Sequence, residues 1–445
     1  MPSSVLRRAG RWLLLLACAL PLGAQSAAAR TIVFRDACRP GDRLTIAAVG
    51  DLLFHKQLLA QAFQRRGSFA RMWAPVASVL KRADLAYGNL EGPAADGVSA
   101  FGRPVRDPGR RLDMRVYGYM LPTLSFNYHP SVLDDLKASG FKVISTANNH
   151  ALDRGALGVD RTVDNLRRRG LAFTGTRRRG EHESPWSTVT QTKGWRIAWL
   201  ACTYSTNGLP DRHRQVLFCH RQKDEVLAEL ARLRADPRID AVIVTPHWGI
   251  ENSHSPTLKD RALARELVDA GAAAVIGTHP HVVQPWERHV APDGREGLIV
   301  YSTGNFISNQ RQPMQRAGII ATLELARRPG GKAEVTGAGF VPTFVAIGSG
   351  HRVVENSGVA PHQLRQTLRI LPDGNRVSLA TPFAFAKTCG KTPLVAGSRV
   401  LPPGLVLAGL KVRPHAQGRK LRRSSIGAKR AKMKRKRKVR WRRGR

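Results

Sequence analysis

The residues with chemistry to offer fall into five clusters. Asp51 stands near His55, Glu91 stands alone, Asn149 adjoins His150, His247 precedes Glu251, and His279 precedes His281. These are carboxylates, imidazoles and one amide oxygen. Such a mixed set suits borderline or hard divalent ions such as Mn, Fe or Zn. Two ions sharing a bridging carboxylate would ionise a water near neutral pH and make it a nucleophile. One histidine after a strand is an ordinary packing residue. Five ligand-type clusters after five strands point instead to a metal centre. The most specific run is Gly277-Thr278-His279-Pro280-His281. In an extended segment its alternate positions place both imidazoles on one side. His55, four residues past Asp51, reads either as a ligand or as a histidine at a helix start. His129 and His254 read as loop residues.

The elements that must position these clusters alternate in type. Apolar runs at 44–49, 86–90, 141–145, 195–202, 241–245, 273–276 and 298–302 read as strands. The segments 75–83, 130–139, 158–169, 225–234 and 261–270 carry helical spacing. The strand 195–202 is expected to pair with 186–190 through a Lys193-Gly194 turn. The run 334–345 is strand-like, with Pro342 marking an edge or a break. This βαβα order predicts an α/β fold with helices covering a largely parallel sheet. Ligand sites of such sheets gather beyond the strand ends, where these clusters lie. The long loop 92–120, rich in Gly, Pro and Arg, reads as a substrate-facing insertion.

Composition narrows the class. Of 445 residues, 42% are hydrophobic, which supplies a sizeable core and excludes a mostly disordered chain. No internal apolar run reaches the roughly 18 residues of a membrane span, so no transmembrane span is expected in the mature chain. Arg7, Arg8 and Arg11 precede an apolar run over 12–24 and the small residues Ala27–Ala29. Residues 1–29 read as a signal peptide, with an uncleaved anchor or a lipoprotein using Cys18 as alternatives. The expected location is therefore exported: periplasmic, cell-surface or secreted. Four cysteines then remain, and an oxidising compartment permits two disulfides. Cys202–Cys219 would close a local loop and Cys38–Cys389 would tie the domain ends together. Unpaired buried cysteines are the plainer reading.

The net charge is +40, from 72 Lys/Arg against 32 Asp/Glu. Residues 411–445 alone hold 18 Lys/Arg and no acidic residue. They read as a disordered polybasic tail that attracts an anionic polymer or an anionic membrane or envelope surface. A solubilising tail with no dedicated partner is the plainer reading. Nucleic-acid binding would be incidental.

The ordered motifs Val49-Gly50-Asp51, Gly88-Asn89-Leu90-Glu91, 147–155 (Ala-Asn-Asn-His-Ala-Leu-Asp-Arg-Gly), 246–251 (Pro-His-Trp-Gly-Ile-Glu), 277–284 (Gly-Thr-His-Pro-His-Val-Val-Gln) and Ser302-Thr303-Gly304-Asn305-Phe306 resemble the CapA family. These are capsule-synthesis or poly-γ-glutamate-synthesis proteins within the calcineurin-like metallophosphoesterase superfamily. The resemblance spans about residues 44–350 and implies a domain over 40–390. It implies a four-layer αββα sandwich with a dinuclear site at the strand C-terminal ends. It further implies Asp51, Glu91, Asn149, His247, His279 and His281 as metal ligands, with Glu91 where the wider superfamily has a bridging aspartate. The superfamily's usual Asp-x-His is here Asp-x-x-x-His, ending at His55.

On that footing, His150, oriented by Asp153, would assist the leaving group. Arg154 and the basic 101–119 loop would hold an anionic substrate. Glu251 would orient His247 or contact substrate, Trp248 would wall the cleft, and Asn305-Phe306 would be a supporting turn. Two function classes follow. One is a metal-dependent hydrolase acting on an anionic envelope or capsule polymer, poly-γ-glutamate-like, or on a phosphoester. The other is a non-catalytic metal-binding scaffold for polymer synthesis, export or anchoring.

Overall fold

The strand Arg43–Leu52 alternates its side chains between two cores. Leu44, Ile46 and Ala48 join one buried cluster, while Ala47 and Val49 join another. That two-sided burial is what a strand interior to a four-layer stack requires. In the computed structural model, residues 30–120, 124–327, 331–348 and 350–387 are described. The expected signal segment 1–29, the expected tail 411–445 and Cys389 lie outside them.

The first sheet has the spatial order His351–Glu355, Glu334–Ile347, Ala317–Ala326, Arg43–Leu52, Leu85–Leu90, Phe141–Ser145, Ala172–Thr174, with Asn305–Ile307 also pairing with Arg43–Leu52. The second runs Trp286–Val290, Glu296–Val300, Ala274–Ile276, Ala241–His247, Trp195–Thr203, Thr188–Thr192. Their facing sides share one core, in which Ile46, Tyr87 and Ile319 meet Trp199, Ile243 and Val300. Tyr87 and Trp199 stack across it, with ring centroids 5.5 Å apart and an interplanar angle of 4°. Each fully buried aliphatic or aromatic side chain contributes about 1.5–3 kcal/mol relative to exposure.

Helices close both outer faces. Lys56–Ala62, Ala77–Arg82 and Ser131–Ala138 cover the first sheet with Leu58, Leu80 and Leu133. Lys223–Ala235 and Leu258–Asp269 cover the second with Leu230 and Leu267. Leu258–Asp269 starts at Thr257, whose hydroxyl accepts the Asp260 N–H at 3.1 Å. Gly155–Arg169 stops at Gly170, which takes the left-handed conformation at φ 60°. The layers are therefore αββα, as expected.

Two expectations need correcting. The sheets are mixed rather than largely parallel, because Ala317–Ala326, Glu334–Ile347 and His351–Glu355 add antiparallel strands to the first. The break expected at Pro342 is absent, since its strand runs through it from Glu334 to Ile347, while the edge reading holds on one side. The Pro342 carbonyl accepts the Asn356 N–H, so its nitrogen faces the side where pairing with His351–Glu355 has already stopped at Thr343. The fold also takes up residues ahead of position 40. Phe34 joins the inner core, and the Ile32 N–H donates to Asn375 Oδ1 at 2.7 Å.

The Cys202–Cys219 disulfide is formed. The expected Cys38–Cys389 pair involves a residue outside those described.

Candidate metal centre

Parallel pairing delivers strand ends to common edges. Arg43–Leu52, Leu85–Leu90 and Phe141–Ser145 end together, as do Trp195–Thr203, Ala241–His247 and Ala274–Ile276. Each end carries polar residues that the apolar strand interior excludes. Gly50 lets the first strand reach its partner, since a Cβ there would fall 1.8 Å from the Gly304 carbonyl oxygen. Asp51 then pairs in register with Asn305, and His247 bridges to Thr278.

Two groups of donors result. Asp51, Glu91 and His281 form one, and Glu91, His247 and His279 the other, with one donor atom per residue within 4.8 Å of its fellows. Glu91 belongs to both, which is the placement of a bridging carboxylate. Four donors converge near His247 Nε2, with Asn149 Oδ1 at 2.9 Å, His279 Nδ1 at 3.2 Å and Glu91 Oε1 at 3.6 Å. His281 Nδ1 lies 3.2 Å from Asp51 Oδ2 and 3.0 Å from Asn305 Oδ1.

Glu91 is fully buried, and neither carboxylate oxygen has a hydrogen-bond partner. A buried ionised carboxylate without donors is unstable unless a cation or a proton compensates it. Burial, then the neighbouring Asp51, push its pKa well above the usual carboxylate range. Burial holds His247 and His279 well below the ordinary imidazole value, reinforced by neighbouring imidazoles. Burial also disfavours charge on His281, but Glu91 and Asp51 outweigh it and raise the group to about 9. One carboxylate-rich half therefore draws positive charge, and one imidazole half offers neutral lone pairs. That combination fits divalent ions.

A surrounding shell fixes the donors. Thr278 Oγ1 lies 2.9 Å from His247 Nδ1, a partner for the ring proton in the tautomer that frees Nε2. Asn89 Nδ2 donates to Asp51 Oδ1 at 2.8 Å, and Asn148 Nδ2 donates to the Leu90 carbonyl at 2.7 Å. His279 and His281 adopt φ of 101° and 60°, sparsely populated for non-glycine residues. Each such conformation costs about 1–3 kcal/mol. Both imidazoles reach the site, but from a strained turn rather than from the extended segment expected.

His150 Nδ1 lies 2.8 Å from Asp153 Oδ2, as expected, and Phe126 packs edge-on against the imidazole at 4.7 Å. Asn305 supports His281. Other expected site residues take different places. His55 belongs to neither donor group. It is the N-cap of Lys56–Ala62, and its Nδ1 accepts the Asn309 N–H at 3.3 Å. Trp248 does not wall a cleft. It is fully buried in the outer core of the second sheet, with Nε1 donating to the Tyr301 carbonyl at 3.1 Å. Glu251 does not orient His247, whose Nδ1 faces Thr278 and Asn89 instead, but it is exposed and its charge acts on Glu91 and His281, which leaves the expected substrate contact standing. Arg154 is wholly buried, with Nη1 donating to Ser125 Oγ and to the Asp153 carbonyl. It braces the 153–155 turn rather than facing solvent.

Sequence reasoning passed over Tyr204 and Asn207. The Tyr204 ring lies 4.6 Å from that of His279, and Asn207 Oδ1 accepts from Asn149 Nδ2 at 3.2 Å. Both follow the end of Trp195–Thr203, a strand end that also brings a polar run to this edge.

The chain is thus a four-layer αββα sandwich with buried carboxylates, imidazoles and an amide gathered at its strand C-termini. It belongs to the family described as bacterial capsule synthesis protein PGA_cap, which it matches over residues 45–310. It is 28% identical over 278 residues to the capsule biosynthesis protein CapA of Bacillus anthracis, covering 61% of each chain. It is 24% identical over 296 residues to the PGA biosynthesis protein CapA of Bacillus subtilis, covering 66% of this chain and 71% of that one. The chain thus spans 61% of the length of the first of these relatives. Similar solved structures include the NAD nucleotidase of Haemophilus influenzae, at 12% identity and TM-score 0.40, covering 74% of this chain and 57% of that one. A purple acid phosphatase from yellow lupin matches at 9% identity and TM-score 0.31, covering 71% of this chain and 54% of that one. Both are too remote for any residue role to be carried across.

Proposed function

We propose that the chain is an exported, divalent-metal-dependent hydrolase acting on an anionic cell-envelope or capsule polymer, poly-γ-glutamate-like, or on a phosphoester. The observation that carries this reading is Glu91, a buried carboxylate shared by two donor groups and bonded to no donor among the described residues. Two ions, drawn from Mn, Fe or Zn, are the implied cofactors. Asp51, Glu91 and His281 would hold one, and Glu91, His247, His279 and the Asn149 amide oxygen the other. When bound, such a pair supplies Lewis acidity and a water ionised near neutral pH.

The chain's own residues supply the rest. Asp153 Oδ2 holds His150 Nδ1 and also accepts the Phe126 N–H at 2.6 Å, so the carboxylate cannot swing away. With Nδ1 engaged, Nε2 is the ring atom left to give a proton to a departing group. Tyr204 packs on His279 and helps to hold its ring in place. No helix among the described residues is long and apolar enough to cross a membrane. Export rests on the signal-like segment 1–29, and attachment to a polyanion on the 18 cationic residues of 411–445.

The test joins metal content to turnover. Mature protein is analysed for Mn, Fe and Zn and assayed on phosphodiesters and on poly-γ-glutamate, beside His281→Ala and Glu91→Ala. About two ions per chain, with turnover lost in both variants, is the expected result. Bound metal without turnover on either substrate class moves the reading to the scaffold. No metal after reconstitution overturns the centre itself.

A further inference from the structure

The loop that follows Glu91 folds into a small hairpin over residues 97–105. Val98 bridges to Pro104, and the Val105 N–H donates to the Gly97 carbonyl at 2.9 Å. Its tip is the turn 100–102, closed by the Ser99 N–H donating to the Arg103 carbonyl and the Gly102 N–H to the Ser99 carbonyl, each at 2.9 Å. We infer that this hairpin docks on the surface of an anionic phospholipid bilayer, with Phe101 as the side chain that enters the lipid. The inference depends neither on the hydrolase reading nor on the tail 411–445.

Three observations carry it. The first is apolar surface. Phe101 is 84% exposed and Val105 43% exposed. Neighbours along an extended arm point to opposite faces. Residues 103–106 are nevertheless all exposed, so both faces of the returning arm lie in solvent. A phenylalanine held at the tip of such an arm is placed to be covered by something outside the fold.

The second is charge. Residues 97–115 hold five arginines and two aspartates, a net charge of +3. Both aspartates are engaged within the loop. Asp107 accepts the Gly97 N–H at 2.9 Å and the Tyr117 hydroxyl, and Asp113 pairs with Arg115 at 2.8 Å. Arg110 donates to the Ala62 carbonyl at 2.8 Å. The side chains of Arg103, Arg106 and Arg111 are exposed and form no hydrogen bond or ion pair among the described residues. Free guanidiniums beside exposed apolar groups match a bilayer surface, where phosphates meet the acyl boundary. A soluble polyanion would engage the cations and leave Phe101 in water.

The third is a fixed seat. A Cβ on Gly102 would lie 3.1 Å from the Arg154 carbonyl oxygen, so the tip rests closely on the 153–155 turn. The Ala100 N–H donates to the Arg115 carbonyl at 2.8 Å, which ties the hairpin to the end of the loop. A preformed element loses little freedom when it binds. The turn beneath it carries Asp153, the partner of His150. Docking through the hairpin would therefore turn the edge that holds the metal donors toward the bilayer.

The experiment measures partitioning of the full mature chain onto vesicles of phosphatidylcholine with phosphatidylglycerol, and onto phosphatidylcholine alone. The tail is the same in every variant, so differences report the loop. Phe101→Ala is expected to weaken partitioning onto the anionic vesicles about ten-fold, the scale of one aromatic side chain withdrawn from lipid. Arg103→Gln with Arg106→Gln is expected to weaken it about 30-fold there and to leave the neutral vesicles unaffected. Val290→Ala is expected to change nothing. Val290 is half exposed and lies at the sheet end away from the metal donors, since it pairs with Glu296 at the start of a strand parallel to Ala274–Ile276. Phe101→Trp gives a local reading, because brominated acyl chains should quench the fluorescence it adds to that of the unmodified chain. Added fluorescence that bromine leaves unaltered overturns the docking element, as does a Phe101→Ala variant that partitions like the parent. Inorganic polyphosphate is the second probe. A Phe101→Ala loss as large on polyphosphate as on vesicles would assign the hairpin to a soluble polyanion and overturn the bilayer.

Discussion

The indole of Trp248 lies against the backbone of Gly277, where an added Cβ would come within 2.7 Å of Nε1 and 2.1 Å of the Tyr301 carbonyl oxygen. The turn that presents His279 and His281 is therefore set by packing beneath it. Gly277→Ala is expected to cost about 1–3 kcal/mol through overpacking and to lower metal content, since both imidazoles depend on this turn. Gly348→Ala, with nothing near its added Cβ, is expected to stay within about 0.5 kcal/mol. Thermal unfolding and metal analysis of the two variants check this. Equal metal content in both would remove Trp248 from the site's support.

Glu91 is costly without a cation. Glu91→Gln keeps the shape and removes the ionisable group. In chelator, the variant is expected to match or exceed the unmodified protein in stability, because the buried carboxyl has no donor. In metal the order reverses. At a free ion concentration 100 times the Kd, binding adds about 2.7 kcal/mol to a chain that holds the ion, and Glu91→Gln forfeits it. Melting curves with and without Mn decide. A variant that gains as much from Mn as the parent contradicts a bridging role.

Asp153→Asn tests the His150 pair. An amide oxygen placed where Asp153 Oδ2 lies accepts both the His150 and the Phe126 N–H bonds, so the variant removes the charge that supports a protonated His150 and keeps the shape. In the proposed hydrolysis, turnover is expected to fall about 10²–10⁴-fold, the usual scale of general acid–base assistance. Metal content should persist, since Asp153 belongs to neither donor group. A good leaving group should soften the loss, because it needs no proton. An equal loss for good and poor leaving groups would exclude the proton-donor role.

Much of the centre was legible because metal ligation draws on few residue types and strand ends are easy to locate. Asp51, Glu91, His247, His279 and His281 were found this way. Thr278 and Asn89 stood inside the motifs without a role, since a hydroxyl or amide beside a ligand looks like any polar loop residue. Their signal was a polar group at the end of a fully buried strand such as Leu85–Leu90. Tyr204 and Asn207 were missed because no ligand type marked the end of Trp195–Thr203. Trp248 was misplaced because sequence order cannot say which side of a strand end faces the cleft. The strand Ala317–Ala326 was missed because it is buried on both faces and shows no alternation.

Removal of Cys202–Cys219 should act on both stability and the candidate metal centre. The bond closes a 17-residue separation, for which chain entropy alone supplies about 3 kcal/mol. Cys202→Ala with Cys219→Ala is expected to lose a comparable amount in chemical denaturation. It should also lower metal content, because the loop carrying Asn207, which accepts from Asn149, is fastened there. Stability lost with metal content unaltered would make the bond purely structural.

His55 gives the pH dependence. Burial is the chief cause of its depressed pKa of about 4, against an ordinary 6.5. The unfolded chain takes up this proton near pH 6.5, whereas the folded chain resists it until about 4. Between those values the unfolded state binds more protons, so stability falls as pH falls. The contribution is complete above about pH 6.5, and about 3 kcal/mol is lost by pH 4. His55→Gln retains an acceptor for the Asn309 N–H and removes the titration. The difference between the unfolding free energies of the two proteins, measured from pH 7 to 4, should therefore shift by about 3 kcal/mol in the variant's favour as the pH drops. Parallel curves would mean that His55 is already solvated in the native state.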